Sequence, residues 1–166
     1  MFLKPLPSHS FFFILLMGAQ SLALSTQLPS MSQAIKLYLP IQKALALDSF
    51  EDGKKSAQQL EDFLKTSLTS SKIKKNQREP LKALLEVVTP VLNSPNDEAI
   101  RIQFGHVSKV IVSYLKANKD LTQNYHLFFC PMFPKGYAFW VQLKNEPLAN
   151  PYWGKKMLEC GVKRPW

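Results

Sequence analysis

Four successive stretches between residues 32 and 117 carry apolar residues at helical spacing, and polar breaks separate them. In residues 32–47 the apolar positions are Ala34, Ile35, Tyr38, Ile41, Leu45 and Ala46, one face of a helix. Pro40 lies inside that stretch. It has no N–H to donate and its ring crowds the carbonyl four residues back, so it is expected to bend the helix or delay its start. Asp48 and Ser49 offer a cap for a second helix, with Glu51 and Asp52 suited to its positive end. Phe50, Ala57, Leu60, Phe63, Leu64 and Leu68 give this helix one apolar face. After a polar connector at 69–77, a third helix is expected from Glu79 and Pro80, because proline suits the first helical turn. It carries Leu81, Leu84, Leu85, Val88 and Leu92, and Pro90 weakens its end. A turn follows at 93–95. Ser94 with Asp97 three residues on resembles a capped start, and a fourth helix then reaches about Ala117. Its inward positions are Ile100, Phe104, Val107, Ile111, Tyr114 and Leu115. Four amphipathic helices with short connections predict a mainly α fold, an up-and-down four-helix bundle over 32–117.

The segment 125–166 has a different character. Residues 125–129 and 137–143 are aromatic and apolar, with Pro134, Lys135 and Gly136 as a turn between them. A short hairpin is expected there, with Pro131 limiting the first strand to an edge or a bulge. Beyond Asn145 the chain reads as loop, until a single helical turn near Lys155 that would hold Met157 and Cys160. This segment is therefore expected to form a loop-rich aromatic cap on the bundle.

At the other end, Lys4 precedes an apolar run at 11–17 (FFFILLM), followed by Gly18, Ala19, Ser21 and Ala23. A positive start, a short apolar run and small residues describe a secretory leader. Residues 1–23 are assigned to it, with cleavage after Ala23, which leaves one helical domain at 24–166. The run is too short to span a bilayer, which takes about 20 residues. The expectation is an exported protein, periplasmic or secreted, and not membrane-spanning once the leader is removed. The net charge of +9 admits nucleic acid as a partner. Export argues against it, and the lysines are scattered, so a solvated basic surface drawn to anionic envelope surfaces is the favoured reading and no nucleic acid is expected.

The chemistry of the chain is concentrated in the cap. Both cysteines, Cys130 and Cys160, lie there, each with a methionine nearby: Met132 and Met157. On an extended strand His126, Phe128, Cys130 and Met132 share one face, and on a helical turn Met157 and Cys160 share another. Thiolate and thioether are soft donors that suit Cu(I) or Ag(I) far better than magnesium or calcium, and thioether is not a usual zinc ligand. The competing reading is a Cys130–Cys160 disulfide, the common fate of two cysteines in an exported protein. It would close a loop of about 30 residues and stabilise the fold by roughly 3–4 kcal/mol in the chain-entropy model. His126 reads as a packed ring, and His106 as a weaker candidate still. No C-x-x-C, H-E-x-x-H or G-x-S-x-G motif occurs, so an enzyme is not expected.

The cap also carries a specific likeness. Cys130-Pro131-Met132, Trp140, Asn150-Pro151-Tyr152-Trp153-Gly154 and Met157-Leu158-Glu159-Cys160-Gly161, in that order, resemble a domain of unknown function found in exported bacterial proteins. That domain also occurs fused to adaptor subunits of copper/silver efflux pumps. Tyr38-Leu39-Pro40-Ile41-Gln42-Lys43-Ala44-Leu45-Ala46 followed by Asp48 is similar to its first helix and turn. The resemblance implies a small helical periplasmic domain linked to heavy-metal handling, with an efflux or other envelope protein as partner. It implies Cys130, Met132, Met157 and Cys160 as metal ligands. The Cys-Pro-Met-x-Pro run is also similar to the C-P-M-H-P motif of small heavy-metal-binding domains, but Phe133 replaces the histidine and removes one donor. Two functions follow as expectations: a non-enzymatic soft-metal binder, or a structural and interaction module of the envelope stapled by the disulfide.

Overall fold

The computed structural model describes residues 30–166. The expected leader at 1–23 and its cleavage site lie outside the described residues. Four helices pack in sequence, α1 (Met31–Ala46), α2 (Phe50–Thr69), α3 (Lys75–Leu92) and α4 (Asp97–Ala117), each lying against the next. The bundle is as expected, with instructive differences at its joints. Pro40 does not delay α1, which runs through it. The proline ring is exposed, so the carbonyl it frees one turn back, on the exposed Lys36, faces water. Helix α3 begins several residues before Pro80. Its first turn is pinned by Gln77, whose Oε1 accepts from the Met31 backbone N–H at 2.9 Å and whose Nε2 donates to the Tyr114 hydroxyl at 3.2 Å. That tertiary anchoring outweighs the proline's preference for a helix start. The cap of α4 is Asn96, whose side chain accepts from the Ala99 N–H at 2.9 Å. Ser94 instead donates back to the Pro90 carbonyl at 3.1 Å.

After α4 a 3-10 segment (Lys119–Asn124) leads into β1 (Tyr125–Phe129), which pairs antiparallel with β2 (Phe139–Leu143). The register sets Leu127 opposite Val141 and Phe128 opposite Trp140. The expected hairpin is therefore present. A third strand, β3 (Val162–Arg164), adds to the other side of β1, giving the order β2-β1-β3. The single turn near Lys155 is a 3-10 helix, Gly154–Met157, which ends before Cys160. Among the described residues no helix is long and apolar enough to cross a membrane.

One hydrophobic core joins bundle and cap. Leu127, Cys130, Trp140, Val141 and Tyr152 are buried in the same cluster as the helix residues. An aromatic chain runs through the boundary: Tyr38 stacks on Phe104 with centroids 5.3 Å apart, Phe104 meets Tyr152 at 5.7 Å, and Tyr152 meets Trp140 at 6.0 Å. The Tyr38 hydroxyl, fully buried, shares a hydrogen bond with the Ser108 Oγ at 2.7 Å and accepts from the Val141 N–H at 3.2 Å. It thus ties α1 to α4 and to β2. Burial pushes its acidity far from the neutral range, so it stays a neutral phenol.

Candidate soft-donor site around Cys130 and Cys160

Cys130 stands at the end of β1, fully buried, with its N–H donated to the Ala138 carbonyl at 3.0 Å. Cys160 follows the 3-10 turn, half-buried, with its N–H donated to the Met157 carbonyl at 3.0 Å. Thirty residues apart in sequence, the two thiols come near enough to interact. The residue that joins them is Asn150, which is wholly buried. Its Nδ2 donates to Cys130 Sγ at 3.2 Å and to the Cys160 carbonyl at 2.6 Å. Its Oδ1 accepts from the N–H groups of Tyr152 at 2.8 Å and Trp153 at 3.3 Å. Both amide donors and both lone pairs are used, the full capacity of the side chain. The Asn150 backbone is fixed as well: its N–H donates to the Leu158 carbonyl at 2.7 Å and its carbonyl accepts from Gly154 at 3.1 Å.

Other buried polar side chains hold the surrounding loop. Gln42 on α1 donates to the Ala149 carbonyl at 2.7 Å, and Gln142 on β2 accepts from the Ala149 N–H at 3.1 Å. Arg101 on α4 donates to the carbonyls of Leu45 at 3.0 Å and Pro151, and to Asp48 Oδ1 at 2.5 Å. Burial lowers the Arg101 pKa and Asp48 opposes that shift. Gly161 permits a close approach: a Cβ there would lie 2.6 Å from the Trp140 ring, so a larger residue would push the Cys160 segment off the core.

The four expected sulfur positions do not converge equally. The cysteines come together, while Met132 is 56% exposed on the turn beside Cys130 and directs its thioether to solvent. Met157 is half-buried on the 3-10 turn that supports Cys160. The disulfide alternative needs correction. Both cysteines are free and their sulfurs are not at bonding distance. The Asn150 amide holds Cys130 by its sulfur but Cys160 by its backbone carbonyl, so the two sulfurs approach without being brought to bonding distance. His126 lies near the far end of β1, edge-on to Phe128 and 3.3 Å from the Lys163 ammonium. Partial burial and then Lys163 and Lys144 lower its pKa. His106 is exposed on α4. Among the described residues no three or more His, Cys, Asp or Glu side chains gather in a metal-holding group. The donors the fold does assemble are thus two thiols with a thioether close in sequence.

Burial raises the Cys160 pKa above its ordinary value, and the adjacent Cys130 raises it further. Cys160 therefore holds its proton more tightly than an ordinary thiol until a cation displaces it. Their accessibilities differ, and this gives a direct check. Treated with a thiol reagent under native conditions, Cys160 is expected to react at least tenfold faster than Cys130, with both reacting at similar rates in denaturant. Equal native rates, read by mass spectrometry of the labelled peptides, would contradict the burial of Cys130.

The sequence did not single out Arg101, Gln42 or Gln142. One signal was present for Arg101. It lies on the apolar face of α4, three before Phe104 and seven before Ser108, where a charged side chain calls for a buried partner. The chain matches no family model, no curated protein and no solved structure.

Proposed function

We propose that the protein is an exported, non-enzymatic soft-metal binder that takes one Cu(I) or Ag(I) ion between the thiolates of Cys130 and Cys160. Met157 is the nearest candidate for a third donor, and Met132 is not required. The observation that carries this reading is the approach of two thiols from distant segments, with one buried asparagine holding Cys130 by its sulfur and Cys160 by its backbone carbonyl. Paired thiolates select Cu(I)-like ions over hard cations, and a pair already brought near one another by the fold lowers the ordering cost of closing the site. With the likeness to the exported domain, this favours a role in periplasmic heavy-metal buffering or delivery beside an efflux protein.

The test is titration of the reduced protein with Cu(I) against a competing chelator. One equivalent is expected to bind, with loss of binding in Cys160→Ser and in Cys130→Ser, and little change in Met132→Leu. Because uptake displaces thiol protons, affinity is expected to rise with pH, by about tenfold per unit for each proton released. The sign for stability of the metal-free protein is opposite. A raised thiol pKa favours the folded state below the unfolded value and loses that contribution as pH climbs through the folded value. No uptake by the fully reduced protein would leave an envelope interaction module without metal.

A further inference from the structure

A second candidate site lies far from the cysteines, at the end of the bundle where α1 and α3 begin and α4 finishes. An open cleft of about 710 Å³ is lined there by Lys74, Lys116 and Lys119 among hydroxyl and amide groups that include Ser30, Asn76 and Asn118. Among the described residues Asp120 is the only acid in its lining. None of the ion pairs among the described residues takes one of these lysines. Lys72 and Lys75, both exposed, extend the charge along the turn before α3. The opposite end of the bundle is balanced: Asp48 neutralises Arg101, Glu98 pairs with Lys135, and Glu146 with Lys43. Antiparallel helices cancel one another's dipoles at each end, so the field at this cleft is set by its side chains.

We propose that this end of the bundle is a docking face for an anionic phospholipid surface. Lysines beside hydroxyl and amide groups match phosphodiester oxygens, which accept charge-assisted hydrogen bonds. Among the described residues the cleft is open and lies at one end of the bundle, so it can meet a surface. The cleft offers no row of exposed rings for base stacking, which favours lipid over single-stranded nucleic acid. This inference is independent of the metal reading.

Flotation of the full-length chain with vesicles tests it, comparing phosphatidylcholine alone with phosphatidylcholine mixed with phosphatidylglycerol. The leader contributes equally to every variant, so the readout is the gain on adding anionic lipid. That gain is expected to shrink with salt. It should fall about fivefold per lysine removed, on the order of 100-fold for Lys74→Gln/Lys116→Gln/Lys119→Gln, with circular dichroism unchanged. The matching reversals to Glu should remove it altogether. Lys54→Glu/Lys55→Glu, on α2 at the opposite end, should leave most of it. Three results would overturn the proposal: an unchanged gain in the triple variants, an equal loss in the Lys54/Lys55 control, or tighter binding of duplex DNA or inorganic phosphate than of anionic vesicles at the same cleft.

Discussion

Replacing Gly154 by alanine is expected to lower the thermal midpoint by about 10 °C or more. Two effects combine. Gly154 sits at φ 57, in the left-handed region, where a side chain costs about 1–2 kcal/mol. The larger effect is contact. A Cβ at this position would fall 1.8 Å from Asp48 Oδ1 and 2.7 Å from the Arg101 guanidinium. Asp48 must then withdraw from Arg101, whose side chain is only 9% exposed, and breaking a buried pair by displacing one partner costs about 3–5 kcal/mol. Asp48 is itself about a third exposed, so solvent returns part of that and the lower end of the range applies. The sum, about 4–5 kcal/mol, is a large share of the stability of a domain this size. The contact half of the argument has its own check. In an Asp48→Gly background the same Gly154→Ala change should cost clearly less, because only the backbone part, about 1–2 kcal/mol, and the contact with the Arg101 side chain remain. Thermal and denaturant unfolding read both values, and an equal cost in the two backgrounds would remove the clash as the cause.

The same cluster shows what the sequence made legible. Helical spacing set the four-helix frame because each helix buries one stripe on its neighbours, and that stripe is written in local periodicity: Leu60 and Leu64 on α2, Leu81, Leu84 and Val88 on α3. The hairpin was legible for the same reason, with aromatic runs flanking a Pro-Lys-Gly turn. Strand β3 was not. It is three residues long, every one exposed, and exists only because β1 offers it a free edge. The start of α3 was misplaced because Gln77 reaches two other helices, a contact no local pattern encodes. At the site, the two cysteine segments meet at Asn150, while the turn at Pro131 leaves Met132 exposed. Asn150 appeared in the sequence only within a motif. Its role as the joint depends on being wholly buried with every donor and acceptor used, which is a property of the assembled cap.

Asn150 is accordingly the side chain whose loss should most affect both fold and site. In Asn150→Ala the N–H groups of Tyr152 and Trp153, the Cys160 carbonyl and the Cys130 thiol lose one shared partner, which is itself wholly buried. Unsatisfied buried groups cost about 1–3 kcal/mol each, and because these share one residue the total is expected near 3–5 kcal/mol rather than their sum. Asn150→Asp separates structure from chemistry. Its oxygens still accept from Tyr152 and Trp153, but the donor to the cysteines is gone, and an acceptor oxygen now faces the Cys160 carbonyl, which Asn150 Nδ2 meets at 2.6 Å. A carboxylate beside the thiols also raises the cost of forming thiolates there. Below its melting temperature the Asp variant is therefore expected to keep its helical circular dichroism yet bind Cu(I) at least tenfold more weakly than the wild type, with the deficit narrowing as pH falls and the carboxyl protonates. Unchanged affinity in a folded Asn150→Asp protein would separate the cysteines' joint from any metal chemistry. The deficit together with its pH dependence would tie the two thiols, through one amide, to a single binding event.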